Sequence, residues 1–195
     1  MKKQIIYFFT FLIICFGIPI FFTSPFNQET NEAIANQNQE ITQSTYDYKQ
    51  YKTVKLLHKE TKKVEEIGLD EYLYGVVSAE MPASYEEEAL KAQAIVARTY
   101  TLYKILNNGD KHKEDNAHIC DDSTCCQAWI SKEDRLEKWK EENRETYWNK
   151  IVNAVNNTQG KIVTYEGKPI NAFFHANSGG STEAPVNVWG GSGYP

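Results

Sequence analysis

Ser84-Tyr85-Glu86-Glu87-Glu88-Ala89-Leu90-Lys91-Ala92-Gln93-Ala94-Ile95-Val96-Ala97-Arg98-Thr99-Tyr100-Thr101-Leu102-Tyr103-Lys104-Ile105-Leu106 is the stretch on which the fold turns. It is rich in Ala and holds no Gly or Pro, which predicts a helix from about Tyr85 to Leu106. Leu90, Ala94, Ala97 and Thr101 recur at helical spacing as its apolar stripe. Ser84 and Glu87 stand at capping-box spacing, and Asn107-Asn108-Gly109-Asp110 ends the run.

Upstream, Pro82 disfavours helix at Met81, so a separate short helix is expected through Tyr72, Leu73, Val76 and Val77, with Asp70 as its N-cap. Thr53–His58 and Val64–Ile67 read as two strands joined through Lys59–Lys63. Downstream, Lys132–Asn156 has helical character, with Leu136, Trp139, Tyr147, Trp148, Ile151, Val152 and Val155 as apolar anchors and Gly160 as terminator. Lys161–Tyr165 and Ile170–His175 read as a second strand pair joined through Glu166-Gly167-Lys168-Pro169. Gly190–Pro195 suggests no finishing element. Hairpins and helices in mixed order point to an α+β fold, and no internal repeat is present.

The chain has 195 residues, 41% hydrophobic and 24% charged, which excludes a collagen-like or wholly disordered protein. Lys2 and Lys3 precede the 19 uncharged residues Ile5–Thr23, roughly 28 Å long as a helix and about one hydrocarbon core. The expected organisation is therefore a cytoplasmic tail (1–4), a transmembrane anchor (5–23), a flexible linker (24–50) and an extracytoplasmic domain (51–195). A cleaved signal peptide is the rival reading; no A-x-A-like site follows the run. Nine Asn or Gln among residues 25–50 suit an extended tether. Beyond the apolar run stand 19 bases and 26 acids, a poor balance for sequence-blind nucleic-acid binding.

Four constellations could carry chemistry. Glu80, between Val76-Val77 and Met81-Pro82, is a carboxyl among apolar neighbours, where desolvation of the anion suits a general acid; a lone glutamate at a helix end is otherwise ordinarily solvated. Lys91, Arg98 and Tyr100 protrude from an Ala-rich helix, which by itself reads as a packing helix. His118-Ile119-Cys120-Asp121-Asp122-Ser123-Thr124-Cys125-Cys126 holds enough donors for a tetrahedral zinc site, with His112 as an alternative fourth ligand. A Cys120–Cys125 disulfide with a free Cys126 fits the same residues equally well, and both readings stay open. His175 and Ser178-Gly179-Gly180-Ser181 form a polar, turn-rich loop whose backbone could approach a sugar, or an ordinary surface loop. A serine hydrolase is excluded, since no G-x-S-x-G elbow is present.

Three segments in order, Leu69-Asp70-Glu71-Tyr72-Leu73-Tyr74-Gly75-Val76-Val77-Ser78-Ala79-Glu80-Met81-Pro82, Glu88–Tyr100 and Ser178-Gly179-Gly180-Ser181-Thr182-Glu183, resemble the family of stage II sporulation protein D and the amidase enhancers. The resemblance runs from about Tyr51 to Pro195. It implies a peptidoglycan lytic transglycosylase of the engulfing mother-cell membrane, cutting between N-acetylmuramic acid and N-acetylglucosamine in peptide-stripped glycan strands. It implies two partners, the cell-wall amidase stage II sporulation protein P and the membrane protein stage II sporulation protein M. It assigns catalysis to Glu80. Around that acid, Lys91, Arg98 and Tyr100 are expected to bind sugar hydroxyls, the lactyl carboxylate or acetamido groups of the substrate, and His175, Ser178 and Gly180 to shape the opposite wall. Some members bind zinc in the Cys/His loop before the Q-A-W segment, which maps a structural Zn2+ onto His118, Cys120, Cys125 and Cys126. The family pattern there mixes two His with two Cys, so this chain departs from it at Cys125. Members usually continue beyond Val188-Trp189-Gly190, so a C-terminally truncated domain is the expectation. The alternative function is a non-catalytic glycan-binding module that activates a partner amidase.

Overall fold

The computed structural model describes residues 50–107, 112–175, 177–190 and 193. The expected tail, anchor and linker up to residue 49 lie outside them, as do Asn108-Gly109-Asp110. Among the described residues no helix is long and apolar enough to cross a membrane. All of the described residues belong to one compact unit, Ser44–Pro195.

The chain first doubles back on itself. Strand β1 (Thr53–Leu57) pairs antiparallel with β2 (Val64–Gly68), from Thr53 opposite Gly68 to Leu57 opposite Val64. Two 2.8 Å bonds close the turn, Lys62 N–H to the His58 carbonyl and His58 N–H to the Lys63 carbonyl. Val54 and Leu56 alternate into the main core, while Leu57 joins a small cluster with Ala117 and Cys120. A third strand, β3 (Ile119–Cys120), lies parallel on the other edge of β1, with Leu57 opposite Cys120, so the sheet order is β2-β1-β3.

Helix α1 (Leu69–Glu80) follows β2 directly. Its N-cap is Gly68 and no side chain caps it; Asp70 lies inside the first turn, where a carboxylate favours the helix dipole. The helix continues beyond Val77 to Glu80 and stops because Met81, before Pro82, is held extended at φ −130° and ψ 141°. Helix α2 (Glu87–Leu106) starts later than expected. Ser84 is taken up in a turn closed by Tyr85 N–H on the Pro82 carbonyl (3.0 Å), so the capping box does not form and Glu86 occupies the cap position. Leu90, Ala94, Ala97 and Thr101 are all buried, and so are Arg98, Leu102 and Ile105 on neighbouring faces. Helix α2 is thus a central rod; its small residues let α1, the sheet and later elements approach it closely.

The expected helix Lys132–Asn156 is two helices, α3 (Lys132–Lys138) and α4 (Glu141–Asn156). Ser131 caps α3 by accepting Asp134 N–H at 3.0 Å. The break falls at Trp139, extended at φ −95° and ψ 150°, whose ring packs edge-on against Tyr147 at 5.5 Å on the margin of the core. Ile151, Ala154 and Val155 bury α4 against α1 and α2. Gly160 reverses the chain at φ 81°. The second hairpin is tighter than expected. Strands β4 (Thr164–Tyr165) and β5 (Lys168–Pro169) flank a two-residue turn, Glu166 at φ 49° and Gly167 at φ 75°. Two positive φ values define the turn type that matches strand twist, which puts Lys168 and Pro169 in the strand and leaves Ala172–His175 irregular. A short helix, α5 (Pro185–Trp189), was not expected. The α+β class agrees with the sequence reading.

Candidate active site and thiol cluster

Glu80 is the last residue of α1, delivered there by the Pro82 stop. The loop leaving the cysteines passes beside it, and Ala128 N–H donates to Glu80 Oε1 at 2.7 Å. Glu80 opens onto a cleft of about 540 Å³ walled by Tyr100 and Lys104 of α2, residues 123–127 and residues 171–174. Tyr100 and Lys104 share one helix face, and the Lys104 ammonium lies 5.5 Å from the Tyr100 ring centre. Burial pushes the Tyr100 phenol well above its ordinary range, with the nearby cysteines adding to the effect, so it is a neutral group at any working pH. Phe173 and Phe174, 45% and 40% exposed, give the cleft an apolar wall. Among the described lining residues Glu80 is the only carboxylate.

The adjoining wall is a cluster of donors. His112 Nε2 lies 3.4 Å from both Cys125 Sγ and Cys126 Sγ, and the two sulfurs are 4.0 Å apart. With Cys120, all four ligand atoms fall within 4.8 Å of one another. A tetrahedron with metal–sulfur bonds near 2.3 Å and metal–nitrogen bonds near 2.0 Å sets its corners roughly 3.5–3.8 Å apart, so the donor set could hold a metal ion. His112 is 4% exposed, and its Nδ1 lies 3.9 Å from an Asp115 carboxylate oxygen. The Cys120 thiol and backbone N–H, both directed at Cys126 Sγ, pull the Cys126 pKa down against its burial; the same hydrogen bond and burial push Cys120 up. Among the described residues no disulfide joins these cysteines. The pairing of β3 with β1 is what delivers Cys120 to the cluster.

His118 is not part of the cluster. Its Nδ1 instead accepts Lys55 N–H from the backbone of β1 at 3.1 Å. The alternative ligand, His112, takes its place. Arg98 does not reach the cleft either. It is 2% exposed and its guanidinium donates to the carbonyls of Thr158 (2.9 Å), Val155 (3.0 Å) and Lys161 (3.3 Å). Lys91 stands at the start of α2, paired with Glu87 and Glu88 at 2.8 Å each. His175, Ser178 and Gly180 are exposed and do not line the cleft; Ser178 Oγ accepts Gly180 N–H at 3.3 Å within its own turn. Of the expected site residues the structure therefore brings together Glu80, Tyr100, Cys125 and Cys126 on the cleft, with Cys120 behind them. Lys104 was missed, although it follows Tyr100 by one helical turn. Gln127 was not given a role either, although it opens the Q-A-W segment of the resemblance.

The family model for SpoIID, stage II sporulation protein, matches residues 57–165, which takes in Glu80, the whole donor cluster and Lys104. Stage II sporulation protein D of Bacillus amyloliquefaciens and that of Bacillus subtilis are each 41% identical to the chain over 126 residues, 65% of this chain and 36% of theirs. The amidase enhancer of Bacillus subtilis is 35% identical over 121 residues, 62% of this chain and 14% of that protein. The chain thus spans about a third of the length of the two sporulation proteins D that it matches.

Proposed function

The chain belongs to the SpoIID family of stage II sporulation proteins, and from that premise we propose that it is a peptidoglycan lytic transglycosylase with Glu80 as its acid and base. The observation that carries this reading is that Glu80 is the one carboxylate among the described residues that line the cleft. Hydrolysis of a glycoside ordinarily needs two carboxyls, one to protonate the leaving oxygen and one to activate water or attack. A lytic transglycosylase needs one, because the C6 hydroxyl of the muramyl residue replaces water. Protonated Glu80 gives its proton to the glycosidic oxygen, and the C1–O bond breaks toward an oxocarbenium-like species. The resulting carboxylate takes the C6 hydroxyl proton as that oxygen closes on C1, leaving a 1,6-anhydro-muramyl end. Phe173 and Phe174 offer apolar faces to sugar rings, Tyr100 a neutral hydroxyl, and Lys104 a cation for the lactyl carboxylate.

The proposed setting is endospore formation, with the domain held outside the membrane by Ile5–Thr23 and acting on strands stripped of peptides by stage II sporulation protein P, in a complex with stage II sporulation protein M. Zinc is the metal best suited to one imidazole and three thiolates. Four protein ligands leave no open position for water, so its part is to cross-link the loop that walls the cleft.

The decisive experiment incubates the chain with peptide-free glycan and reads products by mass spectrometry beside Glu80→Gln. Chains shortened to anhydro ends by the wild type and not by the mutant are expected; equal release by both would sink the mechanism. A second reading, a glycan-holding module that activates an amidase without cutting, is favoured by the likeness to a protein named amidase enhancer. It requires glycan length to stay unchanged while a partner amidase speeds up.

A further inference from the structure

Gln127 is 1% exposed although it sits in irregular chain between the cysteines and α3. A buried amide is costly unless it is bonded, so its place asks for a reason. Its Nε2 reaches between the two central helices, 2.9 Å from Thr101 Oγ1 on α2 and 3.2 Å from Tyr72 Oη on α1. Two residues on, Trp129 and Ile130 lie against α1 at Gly75. A Cβ on Gly75 would stand 2.3 Å from Trp129 Nε1 and 2.7 Å from the Ile130 carbonyl oxygen, so only glycine admits this approach. The strap is thus fixed at both ends to the helix that carries Glu80. Between the two fixings lies Ala128, whose N–H meets Glu80 Oε1 at 2.7 Å.

We propose that Gln127 is a positioning residue: with the seat of Trp129 on Gly75, it holds the Ala128 N–H on Glu80 Oε1 and so directs the acidic proton to the other carboxyl oxygen. The proposal rests on the reading of Glu80 as acid and base. An oxygen that accepts a short amide hydrogen bond is the poorer site for a proton, so protonation goes to Oε2. Among the described residues Oε2 makes no hydrogen bond, which leaves it available to a glycosidic oxygen. The same N–H stops the carboxyl from rotating between giving its proton and taking the next one. Each turnover moves one proton from Oε2 to the leaving oxygen and one from the C6 hydroxyl back to Oε2, and no outside reagent is consumed.

The test uses the full chain, peptide-free glycan, and the variants Gln127→Met, which keeps bulk and loses the donor, and Gly75→Ala, which displaces Trp129. Each is expected to lower kcat for anhydro-end release about tenfold or more while KM moves less than about twofold. Neither should lower activity further in a Glu80→Gln background. Amide exchange at Ala128 is expected to speed up about tenfold or more in both variants relative to the neighbouring core amides. Variants that keep wild-type kcat and wild-type exchange at Ala128 overturn the proposal, whatever their melting temperatures. Should wild type leave glycan uncut, the transglycosylase reading falls, and the exchange arm alone decides whether Gln127 positions Ala128. If Gln127→Met does not fold, Thr101→Val removes the acceptor from the α2 side and is read in the same way.

Discussion

Arg98 on α2 donates from its guanidinium to the carbonyl of Val155, 3.0 Å away in the last turn of α4, and to that of Thr158 just beyond it at 2.9 Å. A cation from one helix therefore closes the C-terminus of another, where the dipole favours positive charge, and adds to the bonds that the Val155 carbonyl already accepts from Thr158 N–H and the Thr158 carbonyl from Lys161 N–H. Asp70 stands 3.9 Å away on the side of α1 and balances the charge. The role of the guanidinium is architectural.

Arg98→Ala is accordingly expected to cost on the order of 3 kcal/mol of stability, since it removes charge-assisted hydrogen bonds to the carbonyls of Val155, Thr158 and Lys161 together with a buried side chain. Arg98→Lys should recover little, because a single ammonium cannot fork across carbonyls that diverge. Urea unfolding checks the loss, and KM for glycan in the folded fraction should stay unchanged. A small loss of stability with a raised KM would return Arg98 to the substrate.

The residues that were legible in the sequence are those whose role is local. Thr53–Ile67 alternates and carries its own turn, α2 is uninterrupted small and apolar sequence, and Pro82 marks the end of α1 and hence the placement of Glu80. What stayed hidden depends on partners distant in sequence. Strand β3 has two residues and exists only because β1 offers an edge. Trp139 breaks a helix that its local sequence would continue, in order to meet Tyr147. The fourth donor of the thiol cluster is His112, eight residues before the nearest cysteine, whereas His118, nearer in sequence, is engaged by the Lys55 N–H. Lys91 and Arg98 were grouped with Tyr100 by sequence proximity, yet they point elsewhere around the helix axis, while Lys104, one turn on, shares the Tyr100 face.

The cluster separates the two histidines experimentally. The purified chain is expected to bind one zinc, and His112→Ala or Cys126→Ser to reduce that stoichiometry sharply, while His118→Ala leaves it intact. Chelation should lower the melting temperature, because the ion ties Cys120 beside β1 to Cys125 and Cys126 at the start of the strap. Metal analysis together with a thermal melt reads both. Zinc retained by His112→Ala but lost by His118→Ala would refute the assignment.

Tyr72 makes alkaline stability a measure of how tightly α1, α2 and the strap are packed. Its hydroxyl is fully buried and accepts from Gln127, and burial holds its pKa far above the ordinary tyrosine value. In the unfolded chain the phenol ionises near pH 10. Above that pH the unfolded state gives up a proton that the folded state keeps, so the folded state binds more protons and stability falls as pH rises. Below about pH 10 both states are protonated and Tyr72 contributes no pH dependence. The expected curve is level in this respect up to about pH 10 and then declines by as much as about 1.4 kcal/mol per pH unit for this one group. Tyr100, also raised by burial, adds a decline of the same sign, so Tyr72→Phe should lessen the alkaline slope without abolishing it. The same substitution should cost about 1 kcal/mol at neutral pH, because it leaves the Gln127 amide short of an acceptor. Unfolding free energies measured in steps from pH 8 to pH 11 decide it, and an unchanged slope in Tyr72→Phe would mean that the phenol is reached by water in the folded state.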